Sequence, residues 1–306
     1  MKRRLASVVV LLTCLLLVGS VTALVAQAGA VETAMRRVDF HVDSTVILHI
    51  EYLRGRLVAR RPNLPASFDD KLSFDIEMDT AAIGVTMTSL GELLNRYVFN
   101  YDGSPLRALT TSTEGGRLKQ SGRLHGLPFS IVCDVSVTAT AELRLHPVSI
   151  KVFGIGATGL MKTFGLSLQK LANVKKATGV RIEGNDLLLA PALMLPPPLI
   201  RGKLTAAAVR DSAITLQFGR HAGTTALAIP DSRVTNYMYF RGSTIRFGRL
   251  TMTPADLLVV DHDARDPFDF WLTHYQAQLV AGVSRTTLSG GLITEWPDYN
   301  KISAKK

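Results

Sequence analysis

The chain has 306 residues, 47% of them hydrophobic, with 35 Lys and Arg against 25 Asp and Glu, a formal net charge of +10. Of its two cysteines only Cys133 lies beyond the first thirty residues, which excludes an internal disulfide in the rest of the chain and leaves stability to a packed core. The positive excess is spread out rather than massed in a block, and it predicts a solvated basic surface or one that meets anionic lipid headgroups.

The N-terminus reads as an export segment. Lys2, Arg3 and Arg4 are basic, no charge follows from Leu5 to Val31, and Val8 to Val18 is almost wholly aliphatic. Two small-x-small sites come next, Ala26-Gln27-Ala28 and Ala28-Gly29-Ala30. That is the order of a secretory signal peptide. The uncharged run also meets the roughly 20 residues that a membrane span needs. Residues 1–30 are thus read as a cleaved signal or an uncleaved anchor. Both readings leave the basic residues in the cytoplasm and send the rest across. The expected location is the periplasmic side of an inner membrane, where nucleic acid is not an expected partner. Leu11-Leu12-Thr13-Cys14 lacks the small residue that a lipidated cysteine requires before it, so Cys14 reads as a spectator.

From residue 31 the pattern is mainly β. Val38, Phe40, Val42, Val46, Leu48, Ile50 and Tyr52 share one parity, with polar residues on the other. This predicts one long strand, or two in line, with one dry face, and places His41 and His49 on its exposed polar side. Arg54-Gly55 offers a turn. Leu72, Phe74, Ile76 and Met78 alternate with polar residues in another half-buried strand. Ser89 and Glu92 form a capping-box pattern for a short helix carrying Leu90, Leu93, Leu94, Tyr97 and Val98. Leu106 to Phe153 reads as a meander turning at Glu114-Gly115-Gly116 and Gly126-Leu127-Pro128, with Phe129, Ile131, Cys133, Val135 and Val137 on one face.

An amphipathic helix is predicted over 160–177, with Leu160, Phe164, Leu168, Leu171 and Val174 along one stripe and Gly179 as its stop. Strands resume at Val180, Pro196-Pro197-Pro198 marks a stiff extended stretch, and strands follow over 204–209 and 214–218. Gly219 to Thr225 is a plausible boundary. Further strands are expected around 237–240 and 243–251, then an aromatic amphipathic stretch over 267–279. The expected organisation is a curved β domain over 31–219 and a C-terminal β extension over 220–306, within one domain or beside it. The fold class is mainly β (α+β): a large curved antiparallel sheet with one or two amphipathic helices packed on or inside it, plus an N-terminal membrane helix.

Three patterns bear on chemistry. Gly154-x-Gly156-x-x-Gly159 matches a dinucleotide fingerprint, but its flanks are antiparallel meander and no second crossover follows, so the glycines read as a sharp turn into the helix. Asp261, His262 and Asp263, with Asp266 and Asp269 nearby, are the densest acidic cluster and a weak metal candidate; no second His stands four residues on, and a solvated turn is the simpler reading. Neither G-x-S-x-G nor H-E-x-x-H is present.

Several stretches together resemble uncharacterised exported proteins of environmental bacteria: Ser89-Leu-Gly-Glu-Leu-Leu-Asn-Arg-Tyr-Val98, Gly184-Asn-Asp-Leu-Leu-Leu189, Leu195-Pro-Pro-Pro-Leu-Ile-Arg-Gly202, Asn236-Tyr-Met-Tyr-Phe-Arg-Gly242 and Phe247-Gly-Arg-Leu-Thr251. More distantly, residues 106–219 resemble periplasmic lipid-binding families in which a sheet wraps a helix, among them the mycobacterial mannan-elongation lipid-binding family and its tubular lipid-binding relatives. This resemblance implies binding of a lipid-like molecule.

The residues and the resemblance lead to one expectation: non-catalytic binding or transport of an apolar ligand, held against Leu160, Phe164, Leu168, Leu171 and Val174, without cofactor. Two other readings stand beside it. One is a structural or interaction module of the cell envelope. The other is a metal-dependent envelope hydrolase built on Asp261, His262 and Asp263.

Overall fold

The structure, a computed structural model, describes residues 30–152, 155–156, 174–220 and 226–302. The export segment and residues 157–173, which hold most of the predicted amphipathic helix, lie outside the described residues. Among the described residues no helix is long and apolar enough to cross a membrane.

The chain is mainly β. Strands β1 (Ala30–His41) and β2 (Ile47–Ala59) form an antiparallel hairpin. The stretch from Val38 to Tyr52, expected as one long strand or two in line, is therefore folded back on itself. Asp43 makes the turn: its Oδ1 accepts from the Thr45 and Val46 amides at 2.8 and 2.9 Å, and Val42 N bonds Val46 O at 3.0 Å. An aspartate that caps nearby amides is a strong turn former, and period-two hydrophobicity on both sides conceals it. The expected turn at Arg54-Gly55 is instead the interior of β2.

Next come β3 (Ala66–Ser67) and β4 (Phe74–Thr86). Phe74, Ile76 and Met78 are buried as the alternation predicts, whereas Leu72 precedes the strand and is exposed. A short helix α1 (Met87–Leu93) runs into a π-helical turn, Leu94–Val98. Its N-cap is Thr86, whose side chain accepts from Ser89 N, so the Ser89/Glu92 box is not the cap used. Ser89 is occupied elsewhere: its hydroxyl accepts from Ile47 N and donates to Thr45 O at 3.2 Å each, tying the helix to the hairpin turn. The Tyr97 hydroxyl donates to Asp43 Oδ2 and completes that tie.

Strands β5 (Leu106–Glu114), β6 (Arg117–Leu124), β7 (Leu127–Val137) and β8 (Leu143–Val152) are the predicted meander. Gly115 and Gly116, at φ 58° and 76°, form its first turn where the sequence places it. The second turn is His125-Gly126, and Leu127 and Pro128 already belong to β7. A two-residue β9 (Ile155–Gly156) pairs with β8. Then follow β10 (Val180–Glu183), β11 (Asp186–Leu189), the one-turn helix α2 (Pro191–Met194), β12 (Leu199–Arg201), β13 (Leu204–Arg210) and β14 (Ala213–Gly219).

The C-terminal part supplies β15 (Tyr237–Gly242), β16 (Ile245–Phe247), β17 (Leu250–Met252), β18 (Ala255–Asp261) and β19 (Phe268–Trp271). Helix α3 (Tyr275–Ala281), β20 (Val283–Thr286), β21 (Leu292–Trp296) and a 3-10 turn, Tyr299–Lys301, end the described chain.

Eleven strands form one sheet in the order β13-β14-β4-β2-β1-β15-β18-β21-β20, with β12 beside β4 and β19 beside β1. Two of its central strands change neighbour halfway. Residues 31–36 of β1 pair with β15 and residues 38–41 with β19; residues 75–77 of β4 pair with β12 and residues 80–86 with β14. The switch coincides with irregularities. Arg37 has φ 48°, so Val31 and Met35 before it and Val38 and Phe40 after it all reach the buried side, and β2 shifts register against β4 between Ile50 and Tyr52 and again between Arg54 and Gly55. Such bulges bend a strand and sharpen its twist. The second sheet has seven strands, β10-β11-β8-β7-β6-β5 with β9 beside β8, and a third is β17-β16-β3.

The small sheet covers one end of the large one. Phe68 stacks on Phe247 with ring centroids 4.0 Å apart, and Phe74, Phe240, Phe268, Phe270 and Trp296 around them are fully buried. Each such ring adds roughly 1.5–3 kcal/mol on burial. These aromatics come from both β3–β4 and residues 240–296, so the C-terminal segment shares one core with β1–β4.

Candidate apolar binding site

The buried faces of the two large sheets do not close completely. One cavity of about 90 Å³ lies against the inner face of the seven-stranded sheet, lined by Leu106, Leu109, Leu124, Phe129, Ile150 and Val152 among others. Alternation places most of these side chains on one side of β5–β8, and an irregularity of β5 at Ala108, with φ 49° and a register shift between Arg107 and Thr110, brings Leu106 and Leu109 to that same side. Leu94 and Phe99, which begin and follow the π-helical turn, and Leu187 and Leu189 from β11, form other walls. Gln120 is the one hydrogen-bonding side chain of carboxamide or hydroxyl type among the described lining residues. Its amide donates to Thr110 O at 3.0 Å and its oxygen accepts from the Thr111 hydroxyl at 2.9 Å, so it is already engaged by the sheet.

Two smaller spaces lie beside the first. One of about 50 Å³ lies between β4, α1, β14 and the 189–200 segment, and shares Leu189 with the first. One of about 30 Å³ shares Leu48, Met78, Ile83, Leu195 and Ile200 with the second and ends at Phe40 and Leu272 under Pro196-Pro197-Pro198. The three make a line of apolar voids along the core. Apolar cavities of this kind stay dry and accept apolar ligands.

Of the predicted lining stripe, Leu160, Phe164, Leu168 and Leu171 lie outside the described residues, and Val174 is buried and lines the first cavity. Residues 191–200, of which the sequence reading marks only Pro196-Pro197-Pro198, as a stiff extended stretch, wall the second and third spaces. The signal available there was composition: leucines, a methionine and prolines with no charge from Leu187 to Ile200. Cys133 also lines the first cavity, and burial, with the charges of Asp134 and Asp186, pushes its thiol up to about 12. The thiol is inert as a nucleophile at neutral pH.

The acidic cluster is arranged differently from a metal site. Asp263 pairs with Arg265 at 2.6 Å and Lys301 at 3.4 Å. Asp261 is buried and accepts from Asp263 N at 2.9 Å and from the Asn236 amide at 3.4 Å. His262 is exposed, 3.8 Å from Glu295. Among the described residues no group of three His, Cys, Asp or Glu could hold a metal ion. The glycine motif is only partly described: Gly156 sits in β9, while Gly154 and Gly159 lie outside.

His41 departs from the expected exposed position. It is buried, its Nε2 pairs with Asp269 Oδ1, and its ring stacks on Trp271 at 4.2 Å. The parallel strand β19 pairs with β1 there and sets Trp271 against the His41 ring, which the pattern of β1 alone does not reveal. His49 remains half-exposed with Nδ1 2.7 Å from Asp39 Oδ1. The Nδ1 of His41 is buried without a hydrogen-bond partner.

A polar cleft of about 420 Å³ opens on the outer face of β1 and β2, beside Arg36, Glu51, Arg54 and Tyr237. Arg54 is committed there to Glu32 at 2.6 Å and to the Gly55 carbonyl at 2.8 Å. No protein-family model, no curated protein and no solved structure matches the chain.

Proposed function

We propose that the protein binds a lipid-like apolar molecule without catalysis, on the far side of a membrane from the cytoplasm, as a carrier or holder of that molecule. The observation that carries this reading is the line of apolar voids from Val152 to Leu272. Its walls offer carbon almost throughout. A hydrocarbon chain needs no polar contact to bind there, because each buried methylene contributes about 0.8 kcal/mol. The basic, uncharged and small-residue order of residues 2–30 supports the location. The resemblance of residues 106–219 to periplasmic lipid-binding families points the same way.

Native mass spectrometry of the chain purified from a bacterial envelope tests the proposal. Added mass that extracts into organic solvent is the expected result. A bare chain that stays bare after incubation with envelope lipids would overturn it and favour a structural module whose dry faces are core alone.

A further inference from the structure

The outer face of the seven-stranded sheet has two unlike ends. At one end its cations are neutralised within the sheet: Arg117 pairs with Asp134 at 2.7 Å, Lys119 with Glu114 at 2.6 Å and Arg144 with Asp186 at 2.5 Å. At the other end they are not. Arg107 and Arg123 are direct cross-strand partners on β5 and β6, and like charges in that position repel. Lys151 lies two strands further on, near the end of β8. All three are exposed, and among the described residues none of them has an ion pair. Arg123 bonds only the Gly126 carbonyl, at 3.0 Å.

The same end carries exposed apolar surface. Leu127, at the tip of the β6–β7 hairpin, is 38% exposed, and Pro128 beside it is exposed too. It is also the end that the first cavity reaches. Leu106, Leu124 and Val152, next in sequence to Arg107, Arg123 and Lys151, point the opposite way and line that cavity. Two repelling arginines without ion pairs, set round an exposed leucine with Lys151 nearby, complement a surface that is negative outside and apolar within; the charge of Lys151 also acts on Glu114. Each Lys or Arg near such a surface contributes about 1 kcal/mol.

We propose that the Leu127 end of this sheet docks on an anionic lipid bilayer, with Leu127 entering the interface and the end of the apolar cavity held against the membrane. The proposal deepens the lipid-binding reading and rests on it for the purpose of the contact, though not for the contact itself.

The test uses the full chain in vesicles of phosphatidylcholine with or without phosphatidylglycerol. Cys14 is replaced by Ser, and an environment-sensitive fluorophore is attached through Leu127→Cys. The expected result is a blue-shifted probe, quenched by a lipid-borne quencher, in the anionic vesicles alone. Arg107→Gln, Arg123→Gln and Lys151→Gln together should lower the inserted-to-exposed ratio about a hundredfold. High salt should do the same to the parent. A probe equally exposed in both vesicles, or equally inserted in the triple variant, would overturn the proposal. Asp134→Asn, at the neutralised end where it pairs with Arg117, should leave insertion unchanged and controls for a general charge effect. Cargo is read separately by native mass spectrometry, so failure of docking and failure of lipid binding are told apart.

Discussion

The carbonyl oxygen of Glu77 lies 2.1 Å from the point where a Cβ on Gly55 would stand. The two residues sit beside the register shift at which β2 and β4 deform, so the close approach of the two backbones belongs to the bend of the sheet. Gly55→Ala forces those strands apart and should cost about 3 kcal/mol of unfolding free energy. Gly84 is the control within the same strand pair: its Cβ would meet nothing nearer than His49 Cβ at 3.5 Å. Gly84→Ala should be neutral or stabilising by about 0.5 kcal/mol, through the unfolded chain. Urea denaturation of both variants decides it; equal losses would remove the special role of Gly55.

That bend marks the limit of what the residue pattern discloses. Alternation finds the first part of β4, up to Met78, and the meander, but not the second part of β4, where Thr80, Ala81, Ala82 and Ile83 are all buried and no polar side marks the strand. It misreads β1 and β2, because both sides of the Asp43 turn keep the same parity. Gly55 looks like a turn because a glycine after an arginine is locally indistinguishable from one that admits a neighbouring backbone. Part of the cavity wall is legible: alternation puts Phe129, Ile131 and Cys133 on one face, and the apolar stripe includes Val174. The rest of its wall comes from Leu189 to Ile200, whose role depends on contacts more than a hundred residues away, with Leu48, Met78 and Ile83. His41 is buried for the same reason, by a strand 230 residues later in the alignment of β1 with β19.

Asp261 and Asp269 should respond to pH in opposite senses. Burial pushes the Asp261 carboxyl up to about 6, against the hydrogen bonds it accepts from Asp263 N and Asn236. A raised folded-state value gives stability that is full below the unfolded value of 3.8 and is lost as pH rises through about 6. Asp261→Asn should therefore stabilise the protein by on the order of 3 kcal/mol near pH 8 and by nothing below about pH 4. Thermal melts of parent and variant across that range check it; a gain that does not fade in acid would refute the assignment.

Burial works against the Asp269 carboxylate as well, yet hydrogen bonds from His41 and from Trp271 Nε1 hold it below the usual carboxylate range. Here the stability is present above the unfolded value and is lost as pH falls through the folded one. Asp269→Asn should cost about 2 kcal/mol at neutral pH. The gap from the parent should narrow in acid. Denaturation at neutral and acid pH measures both, and a constant gap would mean that packing against Trp271, rather than charge, is what the substitution removes.

Cys133 offers a reporter for the cavity it lines. With its thiol pushed up to about 12 and buried at 4% exposure, alkylation at neutral pH should proceed only through opening of the fold. In a Cys14→Ser background, iodoacetamide labelling in native buffer should be slower by orders of magnitude than in urea. An apolar ligand should slow it further by stabilising the closed state. Prompt labelling in native buffer would show that the cavity is open to water.

Leu189 is the residue by which the first and second voids meet, since among the described residues it alone lines both. It is 3% exposed, so its side chain points wholly into the core. Leu189→Phe adds volume at that junction and partitions the line of voids while leaving each half apolar. Because free space lies on either side, the change should cost no more than about 1.5 kcal/mol of stability. The effect on binding should depend on chain length. A ligand short enough for the first cavity keeps its buried methylenes and its affinity. A longer one forfeits about 0.8 kcal/mol for each methylene that no longer passes Leu189, so three lost methylenes weaken it more than tenfold. Native mass spectrometry with a series of fatty acids reads this directly. Equal weakening of short and long chains would place the ligand elsewhere than along these three voids.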